Sequence, residues 1–339
     1  MQHTYIIAEV AQAHEGSLGI LHSYIDAVAK TGADAIKFQT HIAEAESSVH
    51  EPFRVKFSYE DATRYDYWHR MSFTAEQWKG IKAHCDEVGL DFISSPFSQA
   101  AVDLLESLDV TQYKIGSGEV TNFLMLEKIC KTGKRIILSS GMSSFEELDE
   151  AVAFVKEYGN DLVVLQCTTS YPTPYERLGL NVIQELRDRY DVPVGLSEHT
   201  GKIYAGIAAA ALGTDMLEFH VVFDRRMFGP DATSSLTIDE TKQLVEGVRA
   251  IEAANNNPID KADNSQYKSL KAIFEKSLAV NRDLPQGHIL RFEDLEAKKP
   301  SGFGIAASKY EQVVGVKLQK AIKKWTFLSA EYLSHTNYK

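Results

Sequence analysis

The chain alternates two patterns: short runs rich in Val and Ile, and longer amphipathic segments. Eight short runs are present: YIIAEVA (5–11), ADAIKFQT (33–40), DFISSPF (91–97), QYKIGSG (112–118), RIILSSG (135–141), LVVLQCT (162–168), VPVGLSE (192–198) and MLEFHVVF (216–223). Helix-like periodicity occurs between them, as at 18–30, 75–88, 145–157 and 205–212, and again at 237–254. Successive βα units of this number predict an α/β fold, a parallel (β/α)8 TIM barrel. A doubly wound sheet usually has a Gly-rich loop after its first strand, and AQAHEGSLG lacks that spacing.

A change of composition near residue 255 divides the chain. The stretch NNNPIDKADNSQ is polar and rich in turn residues, and short β-like pieces follow it. We therefore expect a barrel domain over 1–255, a linker over 256–275 and a small domain over 276–339. A domain of about sixty residues has a marginal core, so it is expected to pack against a partner surface. The long connection 41–74 is expected to be a lid or a dimer contact.

Charge and cysteine content exclude several classes of protein. A net charge of -11 argues against binding to nucleic acid or to anionic membranes, which need a basic face. No apolar run has the length of a membrane span, and the N-terminus lacks the pattern of an export signal. The three cysteines Cys85, Cys130 and Cys167 are far apart and odd in number, which favours reduced, buried thiols and a cytoplasmic location.

Polar residues follow nearly every predicted strand, where a packed barrel interior would prefer branched aliphatic residues. They are His14, Glu15, Lys37, Gln39, Ser94, Ser95, Lys114, Ser117, Glu119, Ser139, Ser140, Gln166, Thr168, Thr169, Tyr171, Ser197, Glu198, His199, Glu218 and His220. The carboxyl ends of barrel strands share one mouth, so these side chains are expected to meet there. Two lysines with several hydroxyls favour a small substrate that carries a phosphate and a carboxylate.

Two histidines, His199 and His220, lie at or near the ends of the last two predicted strands. Glu218 and His220 are two positions apart, so they point to the same face of their strand. Neutral imidazole binds Mn, Fe, Co or Zn, and two protein ligands would leave coordination positions for water and substrate. The alternative is a pair of unrelated, hydrogen-bonded histidines.

Several motifs, in this order and at these intervals, closely resemble the sialic acid synthase family. They are IIAEVAQAHEGSL, GADAIKFQT, FISSPFS, YKIGSGE, ILSSGM, LQCTTSYPTPYE and GLSEHT, and LPQGHILRFEDLEAKKP resembles the family's C-terminal antifreeze-like (SAF, β-clip) domain. The resemblance covers the whole chain. It implies condensation of phosphoenolpyruvate with an N-acylated hexosamine such as N-acetylmannosamine, with release of phosphate, as in an N-acetylneuraminate synthase.

The resemblance also implies roles for individual residues. Phosphoenolpyruvate would be bound by Lys37, Ser95, Lys114, Ser117, Ser139 and Ser140; the sugar would be contacted by Glu15, Gln39, Thr169, Tyr171, Asp231 and Lys299; Glu119 and Glu218 would orient neighbours; and His199 and His220 would hold Mn or Mg. Glu15 is the expected acid/base. A domain-swapped homodimer is also implied, in which the small domain of one chain caps the barrel of the other.

Three positions depart from the family pattern. The usual Arg before the last metal histidine is Phe219, an Asn common after the Cys-Thr pair is Thr169, and the Arg of the capping loop is Lys299. Lys does not reproduce the fork of Arg donors, so the identity of the sugar stays open.

Other substrates and functions compete with this interpretation. The acceptor could instead be a diacetamido-trideoxyhexose, giving legionaminic or pseudaminic acid, or mannose 6-phosphate or a 6-phosphorylated hexosamine, for which Arg225 and Arg226 are candidate phosphate ligands. An aldolase with a Schiff-base lysine is disfavoured, because that chemistry needs a neutral, desolvated amine. From a different class, a non-catalytic carbohydrate-binding or ice-binding protein is the remaining alternative.

Overall fold

Eight parallel strands form a ring, as predicted from the sequence. The computed structural model describes residues 3–55 and 57–334, so residues 1–2, 56 and 335–339 of the predicted domains lie outside the described residues. The strands are β1 (Tyr5–Glu9), β2 (Ala35–Thr40), β3 (Asp91–Pro96), β4 (Gln112–Ile115), β5 (Arg135–Ser139), β6 (Leu162–Cys167), β7 (Val194–Glu198) and β8 (Met216–Val222). They pair in the order β3-β2-β1-β8-β7-β6-β5-β4, and β3 lies beside β4. The predicted barrel is confirmed.

Helices connect the strands and surround the ring. They are α1 (Leu18–Ala29), α2 (Ala43–Glu46), α3 (Arg64–Met71), α4 (Ala75–Val88), α5 (Gln99–Ser107), α6 (Phe123–Cys130), α7 (Phe145–Tyr158), α8 (Leu180–Tyr190), α9 (Ile203–Ala211) and α10 (Ile238–Asn255). Thr74, Ser144 and Thr237 start α4, α7 and α10 with capping boxes, in which each side chain accepts from a backbone N–H three residues later. The helix segments given above from the sequence agree with these bounds to within two residues.

The strands alternate between two apolar layers. Ile6, Ala8 and Phe38 belong to the layer between strands and helices. The alternate residues form a separate cluster inside the ring, made of Ile7, Ala35, Ile93, Ile137, Val163, Leu165 and Met216. Because strand side chains alternate with period two, the next inward residue on a strand lies two positions closer to its carboxyl end. On β1, β2, β3, β5 and β8 that residue is polar: Glu9, Lys37, Ser95, Ser139 and Glu218. These residues form part of the site described below.

The long connection 41–74 has structure of its own. Helices α2 and α3 lie within it, and Ala43, Tyr67, Trp68 and Met71 form a small buried cluster. Thr63 caps α3 through a capping box with Asp66. The described part of this connection is therefore packed rather than extended.

The chain divides into two units between residues 257 and 258. In the second unit β10 (Ser277–Val280) pairs with β11 (Leu295–Lys298) in antiparallel fashion, and a helix, α11 (Lys268–Phe274), lies within the predicted linker. Its buried core consists of Leu278, Val280, Leu284, Leu290, Val313, Leu318, Ile322, Leu328 and Leu333. A two-residue strand, β9 (Leu236–Thr237), pairs with β8 in the first unit. Over the described residues, the search for a helix both long and apolar enough to cross a bilayer found none.

Candidate active site

A cavity of about 380 Å³ opens at the carboxyl ends of the barrel strands. The predicted site residues that border it are Lys37, Gln39, Ser95, Lys114, Ser117, Glu119, Ser139, Thr169, Tyr171, His199, Glu218, His220 and Asp231. They come from seven of the eight strands and the connections that follow them. The shared mouth expected from the sequence thus brings most of the predicted residues together.

Four buried charged residues form the base of the cavity. Lys37 Nζ lies 2.6 Å from Glu9 Oε1 and 3.7 Å from Glu218 Oε1. Lys114 Nζ donates to the same Glu218 oxygen at 2.8 Å, and Ser197 Oγ donates to it at 3.0 Å. Each of the four charged side chains is at most 4% exposed. Two cations and two carboxylates therefore balance each other at the base of the cavity.

Neighbouring charges keep Glu9 and Lys37 ionised despite their burial. Burial alone would raise the pKa of Glu9, but the charges of Lys37 and His220 hold it below its usual range. Burial alone would lower the pKa of Lys37, but Glu218 and Glu9 raise it above its ordinary value. Lys37 is thus a fixed ammonium cation at neutral pH, which favours anion binding.

His199 and His220 lie side by side on the cavity wall, with ring centroids 5.2 Å apart. Burial, together with the nearby charge of His220, lowers the pKa of His199 to about 3, so its imidazole is neutral. His199 Nδ1 lies 3.3 Å from the carbonyl oxygen of Thr168. A carbonyl oxygen can only accept a hydrogen bond, so Nδ1 carries the proton. That tautomer leaves the Nε2 lone pair free for a metal ion.

The surroundings of the two histidines fit a divalent cation with few protein ligands. Glu9 Oε2 lies 3.4 Å from His220 Nε2. No group of three or more His, Cys, Asp or Glu side chains is arranged to hold a metal within the described ranges. A cation bound here would have the imidazoles of His199 and His220 as protein ligands and positions left for water or substrate; this metal site stays a prediction.

The predicted serines divide between the cavity and its support. Ser117 Oγ accepts from the N–H of Gly141 at 3.0 Å, and Ser139 Oγ is buried with no hydrogen-bond partner among the described residues. Ser140 is not among the residues that border the cavity: its Oγ contacts Gln166 Oε1 at 3.3 Å and accepts from the N–H of Cys167. Ser140 therefore positions β6, while Ser95, Ser117 and Ser139 face the cavity.

The long connection supplies part of the outer wall. Arg54 Nη2 donates to Asp231 Oδ1 at 2.7 Å, and its guanidinium carbon lies 4.2 Å from the centroid of the Tyr171 ring. The Tyr171 ring in turn lies 4.3 Å from the His199 ring. Phe57 and Phe228 are also in ring contact, with centroids 5.6 Å apart. The connection and the loop after β8 therefore meet over the mouth.

Glu15, the expected acid/base, lies outside the cavity wall. Its backbone has φ of 49°, and its Oε2 pairs with Arg70 Nη1 at 3.0 Å. Burial raises the pKa of Glu15 above its ordinary value, with Arg70 opposing that effect. The acidic residue at this end of β1 that does border the cavity is Glu9.

The remaining predicted residues have local partners. Glu119 borders the cavity and accepts from the side-chain amide of Asn122. Lys299 belongs to the second unit, where its ammonium lies 4.9 Å from the centroid of the Phe274 ring. Phe219, at one of the positions that depart from the family pattern, is 1% exposed in the layer under the helices.

Sequence reasoning missed Glu9, Gln12, Arg54 and Tyr67, all of which border the cavity. Glu9 had a signal, an acidic residue inside the apolar run YIIAEV and in phase with the inward Ile7. The other three depend on how distant segments meet. Cys167 is buried, as expected, and also borders the cavity, with its Sγ 4.0 Å from His199 Nδ1.

Comparison with known families identifies both parts of the chain. Residues 24–260 match the model of the NeuB family, and residues 275–333 match the SAF domain. The first match spans well over half of the chain.

Individual relatives extend this result. The chain is 35% identical over 321 residues to N,N'-diacetyllegionaminic acid synthase of Campylobacter jejuni, covering 93% of this chain and 96% of the relative. It is 32% identical to human N-acetylneuraminate-9-phosphate synthase, covering 88% of this chain and 84% of that protein. The structure of the N-acetylneuraminic acid synthetase of Leptospira borgpetersenii superposes with a TM-score of 0.70 at 27% identity, covering 79% of this chain and 90% of that one. The chain is therefore an enzyme of the NeuB family that carries an SAF domain after its barrel.

Proposed function

We propose that the protein condenses phosphoenolpyruvate with an uncharged N-acylated hexosamine, forming a nonulosonic acid and releasing phosphate. The observation that carries this proposal is the burial of two ammonium groups, Lys37 and Lys114, at the base of a cavity whose wall also holds His199 and His220. Two cations fit a substrate that bears a phosphate and a carboxylate. Relatives named as synthases of legionaminic, pseudaminic and N-acetylneuraminic 9-phosphate products support this class of product.

The proposed reaction forms one carbon–carbon bond. C3 of phosphoenolpyruvate attacks the aldehyde carbon of the open-chain sugar, which leaves a cationic C2. Water adds to C2, a proton is lost, and the C–O bond to phosphate breaks to give the 2-keto acid. The aldehyde oxygen gains a proton and becomes a hydroxyl group.

The residues at the base of the cavity fit separate parts of this reaction. Lys37 and Lys114 hold the phosphate and carboxylate and stabilise the charge of the departing phosphate. Glu9 stays ionised next to Lys37, so its negative charge can stabilise a cationic C2 and orient the attacking water. A divalent cation, manganese or magnesium, held by His199 and His220 would polarise the carbonyl group of the acceptor.

The charges of the cavity favour an acceptor without a phosphate. Of the described residues, the charged ones that border it are the acids Glu9, Glu46, Glu51, Glu119, Glu218 and Asp231 and the cations Lys37, Arg54, Arg64 and Lys114. Each of these four cations already pairs with a carboxylate. After phosphoenolpyruvate occupies the lysines, a second phosphate would face more carboxylates than free cations in the described part of the lining.

The residues suggested for a phosphorylated acceptor are used elsewhere. Arg225 binds the carbonyl oxygens of Gly201 and Ser235 and pairs with Glu240. Arg226 is 89% exposed and pairs with Asp224. Neither arginine borders the cavity. N-acetylmannosamine, or a neutral diacetamido-trideoxyhexose, therefore fits the described cavity better than mannose 6-phosphate.

An aldolase with a Schiff-base lysine fits the site poorly. Such a lysine must be a neutral amine, whereas Glu218 and Glu9 raise the pKa of Lys37. Lys114 donates to the buried carboxylate of Glu218. Both lysines are thus suited to binding anions rather than to attacking a carbonyl.

The test is phosphate release from phosphoenolpyruvate in the presence of manganese. N-acetylmannosamine, a 2,4-diacetamido-2,4,6-trideoxyhexose and mannose 6-phosphate are compared as acceptors. We expect release with one of the neutral sugars and its loss in His220→Ala, whereas His84→Ala, which changes a histidine on the outer helix α4, keeps wild-type activity. Absence of release with every acceptor, or full activity of His220→Ala, would contradict the proposal.

We also propose that the enzyme is a homodimer in which the SAF domain of one chain completes the cavity of the other. The described part of the second unit leaves large apolar side chains exposed, among them Ile273, Phe274 and Phe303. A surface of this kind favours burial against another protein surface. A domain with a small core gains stability from the same contact.

A further inference from the structure

Gln12, which follows β1, has a buried side-chain oxygen without a hydrogen-bond partner. The residue is 3% exposed and borders the cavity. Its Nε2 donates to Gln39 Oε1 and contacts His41 Nε2, both at 2.7 Å, whereas its Oε1 has no hydrogen-bond partner in the described part of the chain. A buried acceptor without a donor is costly, so this oxygen requires an explanation.

The orientation of the Gln12 amide is fixed from the side of Glu9. The Glu9 carboxylate accepts protons and has none to donate, so Gln39 must turn its Nε2 toward Glu9, at 2.9 Å. Gln39 Oε1 then faces Gln12, which must present its own Nε2. A reversed Gln12 amide would place two carbonyl oxygens 2.7 Å apart.

His41 fixes the same orientation from the other side. Its ring is stacked between those of Trp68 and Phe97, at centroid distances of 3.9 Å and 4.6 Å. Its Nδ1 lies 2.5 Å from Glu46 Oε1. A carboxylate only accepts hydrogen bonds, so Nδ1 carries the proton and donates it to this bond. His41 Nε2 is then an acceptor: it lies 2.7 Å from Gln12 Nε2, which donates to it, and 3.2 Å from Gln39 Oε1, which has no proton to donate. The Gln12 amide therefore turns its NH₂ group, and not its carbonyl oxygen, toward Gln39 and His41.

Other unpartnered oxygens in the cavity occur where a substrate is proposed to bind. Ser139 Oγ and Glu218 Oε2 are buried and unpartnered, and both lie at the end assigned to phosphoenolpyruvate. Gln12, together with His220 and Asp231, also borders a small void next to the cavity. Asp231 is expected to contact the sugar, so Gln12 belongs to the acceptor side of the site.

We infer that Gln12 is a specificity-determining residue, whose Oε1 accepts a hydrogen bond from a hydroxyl or amide N–H of the acceptor sugar. This inference rests on the proposed function. A sugar that lacks the matching donor leaves the buried oxygen unpaired, and it is rejected for that reason. The hydrogen bonds that link Glu9, Gln39, Gln12 and His41 also hold Gln12 Oε1 in place before the sugar binds.

The experiment measures kcat/KM for phosphate release with acceptors that each lack one donor. If N-acetylmannosamine is the acceptor, the set contains its 3-deoxy, 4-deoxy and 6-deoxy derivatives and the N-methylated acetamide. We expect one derivative to react about 10- to 100-fold more slowly with the wild type, as one unsatisfied buried acceptor implies. In Gln12→Met, kcat/KM for the parent sugar should fall by a similar factor. The value for that derivative should stay the same as in the wild type.

Gln112→Met is the matched control. Gln112 is also a buried glutamine with an unpartnered Oε1, but it begins β4, at the opposite end of the barrel from the cavity. This variant should keep the discrimination of the wild type. Retained binding of phosphoenolpyruvate, measured by calorimetry, shows that Gln12→Met is folded.

The outcomes separate the inference from the proposed function. If the wild type treats every derivative like the parent sugar, or if Gln12→Met discriminates as the wild type does, water or packing satisfies the oxygen and the inference is wrong. If the wild type releases no phosphate with any acceptor, the proposed function is wrong and the inference is wrong with it.

Discussion

Arg54 and Asp231 join two segments that are 177 positions apart in the chain, with Arg54 Nη2 2.7 Å from Asp231 Oδ1. Arg54 comes from the long connection after β2, and Asp231 comes from the loop after β8. Both border the cavity, and Tyr171 lies under the guanidinium group. The residue expected to contact the sugar is thus held by a residue from the least regular part of the barrel domain.

The first prediction concerns this pair. Arg54→Ala should raise the KM for the acceptor by about fivefold to tenfold, because a half-exposed ion pair and one cation–π contact are lost. The KM for phosphoenolpyruvate should stay unchanged, since Lys37 and Lys114 are untouched. Initial rates with each substrate varied in turn measure both values. Arg226→Ala, which removes an exposed Arg–Asp pair outside the cavity, is the control. An equal rise in both KM values would contradict a role specific to the acceptor.

The second prediction concerns the buried charges. Lys37→Met leaves the Glu9 carboxylate buried beside fewer cations, so the free energy of unfolding should fall by about 3–5 kcal/mol. The double variant Lys37→Met/Glu9→Gln should recover part of that loss, because the unpaired charge is gone. Urea unfolding followed by circular dichroism gives the values. Lys131→Met, at an exposed ion pair on the barrel surface, should have little effect. No recovery in the double variant would show that the two charges are not coupled.

The third prediction concerns Gly141. A Cβ there would lie 2.5 Å from both Ser117 Oγ and Thr169 Oγ1, and 2.9 Å from Cys167 Sγ. Gly141→Ala should therefore displace the Ser117 hydroxyl, which is proposed to bind phosphoenolpyruvate. The KM for phosphoenolpyruvate should rise by about tenfold, because one hydrogen bond to a charged group is lost. Gly80→Ala has open space around the new methyl group and should bind phosphoenolpyruvate like the wild type. Calorimetric titration with phosphoenolpyruvate distinguishes the two variants, and unchanged binding in Gly141→Ala would refute the steric argument.

The fourth prediction concerns pH and the second unit. Burial alone would raise the pKa of Asp294. Hydrogen bonds from the His288 ring, the backbone N–H of Arg291 and the Arg282 side chain together lower this pKa to about 2. A group whose pKa is lower in the folded state stabilises the fold at pH above its unfolded pKa of 3.8. That stability should disappear as pH falls from about 4 to about 2.

Thermal unfolding between pH 7 and pH 2 measures this effect. Asp294→Asn should be less stable than the wild type at neutral pH, and the difference should shrink over the lower part of the range. Glu293→Gln, a neighbouring exposed position, is the control. A constant difference between Asp294→Asn and the wild type at all pH values would contradict the assignment.

The fifth prediction tests the proposed exchange of SAF domains. His220→Ala inactivates the barrel of its own chain, and a chain truncated after residue 257 lacks its own SAF domain. Each protein alone should be inactive. When the two chains are co-expressed, their mixed dimer should be active, because the SAF domain of the first chain can complete the intact barrel of the second. Failure of a purified mixed dimer to release phosphate would contradict completion between chains.

The strands and most helices of the barrel follow from local patterns. Each strand lies in one of the eight short runs, and several of the long helices begin at a capping residue such as Thr74 or Ser144. Inward and outward positions then follow from the period of two. For this reason Lys37 and Lys114 could be placed in the cavity from the sequence.

The residues that were misplaced or missed depend on contacts between distant segments. Glu15 lies within the motif that suggested its role, but its backbone is left-handed and its side chain pairs with Arg70, 55 positions further along the chain. Arg54 and Tyr67 reach the cavity because the long connection packs into a small core of its own. No local pattern in the sequence predicts those contacts.

The origins of the cavity residues have a consequence for how this enzyme can change. Lys37, Lys114, His199 and His220 come from the strands or the first residues after them, where the aliphatic layer inside the ring fixes their positions. Arg54 and Tyr67 come from a connection whose length and composition the ring does not dictate. For the proposed reaction, replacing residues 41–74 can therefore change the preference for the acceptor sugar, while the strands keep the residues proposed to form the bond in place.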